Sequence, residues 1–124
     1  MNTLTEAKTL GDLLKYEAPN LYSRDSGIVA AGQRLALGTV LGRETANGRL
    51  RALNPAATNG SQTAVAVLAQ PVDADLAEAQ AVIVARHAVV AQSALVWPAG
   101  ITAPQRASAE AALIALGILP RTSA

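Results

Sequence analysis

The sequence predicts a β-rich α+β fold: a small β-domain with an extended N-terminal arm and a C-terminal helix. Three observations carry this. Short apolar runs separated by glycines fill "GIVAAGQRLALGTVLGRETANGRLRALNP". "AVIVARHAVV" is β-branched and apolar on both alternating faces. Helical periodicity over more than two turns comes only at "QRASAEAALIALG". At 124 residues the chain is expected to be one domain, with residues 1–26 as an arm and 27–124 as its body.

The arm holds both tyrosines, Tyr16 and Tyr22, and both lysines. Leu10, Leu13, Leu14 and Glu17 follow helical spacing for barely two turns, too short to be stable alone. "EAPNLYSRDSG" then reads as extended chain broken by Pro19 and Gly27. The segment is either a terminus packed loosely on its own domain or an arm that orders against a partner.

In the body, Asn47-Gly48 is the strongest turn signal. It predicts a two-residue hairpin pairing Ala46 with Arg49, Thr45 with Leu50 and Glu44 with Arg51. Residues 54–62 read as a loop. "TAVAVLAQPV" reads as a buried strand ended by Pro71, and "VDADLAEAQ" as a polar loop or turn. In "AVIVARHAVV", Val84, Arg86, Ala88 and Val90 would face one way, and Ile83, Ala85, His87 and Val89 the other. Thr102 and Gln105 have capping-box spacing, with Pro104 in the first turn. The helix places Ala109, Ala112, Leu113 and Leu116 on one face, Gly117 stops it and Pro120 forbids its continuation.

Composition narrows the function classes. The chain is 51% hydrophobic but only 2% aromatic, and alanine dominates. Small side chains bury little area each, which favours oligomerisation to complete the burial. With a net charge of +1 and scattered basic residues, no nucleic-acid partner is expected. The lack of cysteine excludes disulfides and thiolate metal sites. The first residues carry acids and no apolar run, so neither a secretory signal nor a membrane partner is expected.

A catalytic constellation is not found. His87 is the sole histidine and is expected to be a hydrogen-bonded structural residue. Arg86 beside it needs an ion-pair partner or an interface. Asp73, Asp75 and Glu78 lack the glycine and ligand number of a calcium loop and read as a solvated loop. No G-x-S-x-G surrounds a serine, and the glycines of "GTVLGR" read as bulges or bends without a phosphate-loop lysine. No enzyme activity, cofactor or small-molecule substrate is expected. Trp97, before Pro98, is the only tryptophan and is held extended by the proline. It is either a plug beneath the helix, the favoured reading, or a residue near a subunit interface.

The order of "YSRD", "LALGTVLGR", "TANGRLRALNPAA", "AVAVLAQPVDA" and "LVWP" before a helix resembles the head decoration protein D family of tailed bacteriophages. The resemblance runs from about Leu10 to Arg121. It implies a small β-clip-like fold that assembles as a homotrimer. Such trimers act as cement on the outside of the expanded head, at three-fold and quasi-three-fold positions. They bind the major capsid protein and stabilise its lattice against internal DNA pressure. Synthesis would be in the host bacterial cytoplasm. On this reading Leu4, Leu10, Leu13, Leu14, Tyr16, Tyr22 and Arg24 form the capsid-binding arm. Arg86, His87, Trp97 and Pro98 are core or trimer-interface residues. The other reading is a small homo-oligomeric phage accessory or adaptor domain with a different protein-binding role.

Overall fold

The computed structural model describes residues 9–122. Its elements in chain order are α1 (Leu10–Leu13), β1 (Leu14–Glu17), β2 (Arg24–Val29), β3 (Gln33–Leu35), β4 (Val40–Arg43) and β5 (Leu50–Ala52). Then come β6 (Ala66–Leu68), β7 (Val72–Ala74), β8 (Ala79–Val84), β9 (Ala88–Ala91), α2 (Ala103–Ala115) and β10 (Ile118–Arg121). The fold is β-rich α+β with a C-terminal helix, as the sequence predicts. Five strands close a barrel in the order β2-β5-β4-β6-β8. A second sheet, β1-β9-β10, and a β3-β7 ribbon are added to it. Among the described residues no helix is long and apolar enough to cross a membrane.

Alternation along the strands creates two cores. Leu41, Ala66, Leu68 and Ile83 belong to one cluster with Val29 and Leu50. Their neighbours Val40, Val67 and Val84 belong to the other, with Leu13, Val90, Leu113 and Ile118. The strands β4, β6 and β8 are therefore a wall shared by both cores. "AVAVL" and "AVIV" read as continuous apolar text because both faces are covered.

The C-terminal helix starts as expected. Thr102 Oγ1 accepts from the Gln105 N–H at 3.2 Å, and Gln105 Oε1 accepts from the Thr102 N–H at 3.0 Å. Ala109 and Leu113 are buried. Leu116 is not; it caps the helix C-terminus and is 38% exposed. Gly117 leaves the helix with φ +83°, as a glycine stop should. Pro120 then lies in β10, a strand the sequence did not disclose. Among the described residues that strand pairs only with β9 and is a sheet edge, where a missing N–H is tolerated.

Several expectations are corrected. The hairpin forms, but with Arg43 opposite Leu50 and Gly42 opposite Arg51. The Glu44 and Arg49 main chains close it around a loop of residues 45–48. Asn47 Oδ1 accepts from the Arg49 N–H at 2.9 Å, and only Gly48 of the two takes positive φ. That side-chain turn replaces the two-residue type. Glu44 still reaches Arg51, at 3.1 Å. "VDADLAEAQ" is not all loop: Val72 and Ala74 are buried in β7 and Asp73 points outward. Gly27 does not break the chain but sits within β2, and Leu14–Glu17 is strand, so the helix ends after one turn. "AVIVARHAVV" is two strands. The chain leaves the barrel at Val84, turns through Ala85–His87 with His87 at φ +47°, and enters the second sheet at Ala88.

Gly42 shows why "GTVLGR" needs its second glycine. It lies in β4 with ordinary φ, but a methyl group there would sit 2.6 Å from Ser61 Cα. The crossing main chain of residues 59–61 cannot yield, because Ser61 is buried and held by Asn59. Gly42→Ala is expected to destabilise the protein by about 1–3 kcal/mol through overpacking. Gly48→Ala meets no neighbour and strains only its own positive φ. Urea denaturation of the two variants should rank Gly42→Ala as the more damaging.

Candidate functional site

Residues 9–26 are woven into the body, and β2 runs straight through residue 26. Leu13 is 0% exposed and part of a core cluster. Leu10 and Leu14 pack against the same cluster while partly exposed. β1 pairs antiparallel with β9, and among the described residues its other edge is open. Tyr16 and Tyr22 remain 55% and 53% exposed. Leu4 lies outside the described residues.

Sequence reasoning missed Leu21, which is also exposed. The chain turns through Pro19–Leu21 with Asn20 at φ +61° and Leu21 at φ +58°. Asparagine tolerates this region, but leucine does so at a cost of about 1 kcal/mol. The Pro-Asn pair marks a turn; nothing local shows that the leucine points outward. Tyr16, Leu21 and Tyr22 thus give one short segment three large exposed apolar side chains.

Buried Ser23 anchors that segment. Its hydroxyl donates to the His87 carbonyl and accepts from the Ala18 N–H, both at 2.8 Å. Its carbonyl accepts from the Ala85 N–H at 2.7 Å. The joint satisfies main-chain groups that the strand break would orphan. His87 is exposed rather than a strand residue. Its ring meets Tyr22 edge-on at 5.3 Å. Arg86 finds the partners it needs. It donates to the Tyr22 carbonyl at 2.6 Å, pairs with Asp25 and lies over the Tyr22 ring.

Arg24 is also paired within the chain. Its Nε and Nη2 donate to the two Glu17 oxygens at 2.8 and 2.7 Å, a fork that ties β1 to β2. The Arg24 hydrogen bond holds the Glu17 carboxyl below its ordinary value, against the opposing effect of burial. At the β3–β7 ribbon Arg34 pairs with Asp73 and Asp75, and Arg49 pairs with Glu78. The acidic trio is thus shared out between two arginines.

Trp97 is half-buried against the core next to α2. The Arg106 guanidinium of α2 lies 5.1 Å from its ring centre. Its indole N–H is buried and has no acceptor among the described residues. Pro98 lines a hollow beside it. None of these groups forms a nucleophile–base pair; the surface offers aromatic, apolar and guanidinium contacts suited to a protein partner.

A family model described as bacteriophage lambda head decoration protein D matches residues 3–118. The chain belongs to that family. No curated protein matches the chain significantly. Head decoration proteins are structural components of the phage capsid and are not an enzyme family. Membership therefore gives this chain a capsid decoration role. The "LVWP" and "AVAVLAQPVDA" stretches that carried the resemblance fall within the matched span.

Trp97→Phe keeps most of the ring packing and removes the orphan N–H, so stability should stay within about 1 kcal/mol of wild type. Trp97→Ala should lose about 2 kcal/mol or more. Circular dichroism melts in urea compare them. Glu17→Gln should cost at most about 1 kcal/mol at neutral pH. A depressed carboxyl adds stability above its unfolded value, and that stability is lost as pH falls through the folded value. The gap to wild type should close below the ordinary 4.5, as urea midpoints at pH 7 and pH 3 would show.

Proposed function

We propose that this head decoration protein sits as a homotrimer on the outside of the expanded head, at three-fold and quasi-three-fold positions. There it holds neighbouring coat subunits together against internal DNA pressure. The observation that carries this reading is the exposure of Tyr16, Leu21 and Tyr22 on a segment anchored by Leu13, Ser23 and the Glu17–Arg24 fork. Exposed aromatics on a rigid support make low-entropy anchors for a protein partner.

Residues 1–26 are the capsid-binding segment and 27–124 the trimerising part. The division is one of role, since the two share β2. Leu4, Leu10, Leu14, Tyr16 and Tyr22 supply contacts to the coat. Leu13 and Arg24 hold the segment in place. The open edge of β1 can accept a strand from a partner. Three such segments on a trimer raise one another's effective concentration, so modest single contacts suffice. Binding depends on expansion because the receiving coat surfaces come together only in the mature lattice. The protein is made in the host bacterial cytoplasm and acts on the virion.

The test must respect the fold. Deleting residues 1–20 would remove Leu13 and β1 together. Deleting residues 1–8, combined with Tyr16→Ala, leaves both in place. This variant should remain a folded trimer by native mass measurement. Its affinity for expanded heads in co-sedimentation should fall about tenfold or more, since loss at one segment is multiplied over three. A monomeric wild type, or unchanged binding by the variant, would overturn the proposal. Equal binding of wild type to unexpanded shells would remove the expansion step.

A further inference from the structure

Two features on neighbouring faces have no role within the protomer. Leu76, in the turn between β7 and β8, is 96% exposed. The turn is not slack: Asp73 Oδ1 accepts from the Asp75 N–H at 3.1 Å, and Arg34 reaches Asp73 at 3.5 Å. Leu76 is a bare apolar knob among Asp73, Asp75 and Glu78. Nearby is an apolar hollow of about 250 Å³, walled by Leu35, Ala36, Val40, Val96, Trp97 and Pro98. It is open on one side and roomy enough for a branched aliphatic side chain.

Their charges differ in sign. The acids around the knob are paired with Arg34 and Arg49 inside the chain, Asp75 most loosely, at 4.0 Å from Arg34. Over Trp97, a wall of the hollow, lies Arg106, for which no carboxylate partner occurs among the described residues. Their placement is equally specific. Arg34 lines both the hollow and the cleft beside Leu76, so knob and hollow lie on either side of one residue. A protomer cannot place its own knob in a hollow that opens beside it. A second copy can, and a contact between different patches of identical chains is heterologous. Heterologous contacts between identical chains build a ring when the rotation closes.

We propose that Leu76 of each copy fills the Trp97 hollow of the next, with Asp75 approaching Arg106, and that this contact closes the ring. The inference rests on the trimer reading above and names the surfaces that build it. Arg34 then lies near the symmetry axis, where its pairing with Asp73 and Asp75 offsets repulsion among the three copies.

The test uses the full chain. Leu76→Asp removes the knob, and Ala36→Glu puts an acid in the hollow. Both positions are exposed in the protomer, so circular dichroism should show each variant folded. Each alone should weaken association about tenfold or more per contact. Mixed at raised concentration, they retain one good knob and one good hollow between them. They should form a heterodimer by native mass measurement and stop there, as only a heterologous contact allows. Trp97, the sole tryptophan, should change its emission when wild type is diluted to monomer and show the monomer spectrum throughout in Leu76→Asp. A Leu76→Asp protein that assembles like wild type, with the same emission, overturns this contact and leaves the decoration trimer standing. A wild type that stays monomeric overturns both.

Discussion

Three short strands, β4, β6 and β8, carry apolar side chains on both faces, and the two halves of the molecule are built on them. Val40, Val67 and Val84 look towards the helix and the second sheet, while Leu41, Leu68 and Ile83 look into the other core. A wall buried on both sides admits neither charged side chains nor loose backbone. It also requires close main-chain approach, as at Gly42 against Ser61. A chain poor in aromatics can build such a wall because small β-branched residues pack densely on a pleated surface.

Exit from the wall creates the exposed surface around Tyr22. The chain leaves β8 through a left-handed His87, and Ser23 takes up the groups exposed by the turn. Because Ser23 belongs to the N-terminal segment, the same bonds that mend the strand break hold Tyr22 in place, with Arg86 and His87 against its ring. The second sheet begins where the barrel ends, and one of its edges is the strand that follows Leu13. Through this joint residues 9–26 are held as part of the packed body, with Leu13 as their root.

Much of the local architecture could be read from residue order. Thr102 and Gln105 mark the start of the helix and Gly117 its end, since cap and stop rest on bonds within a few residues. Alternation through Ile83 and Val84 was legible for the same reason. Legibility failed where distant groups decide. Nothing in "ARHAVV" shows that Ser23, 64 residues away, will accept the cost of a break at His87. Pro120 looked like a terminator and is a strand residue, because β9 supplies the pairing and the open edge spares the missing N–H. Asn47-Gly48 announced the turn but not its register, which was settled when Asn47 bonded Arg49.

The site divides along the same line. The sequence alone determined the family's landmarks and the apolar character of the residues near the N-terminus. Residue type and order suffice for these. Only the tertiary structure decided which side chains are exposed. It buried Leu13, engaged Arg24 with Glu17, turned Leu21 outward and left Leu76 beside a hollow it cannot fill itself. Exposure is a property of the whole packed chain, fixed by which strands pair across the barrel, and no stretch of sequence contains it.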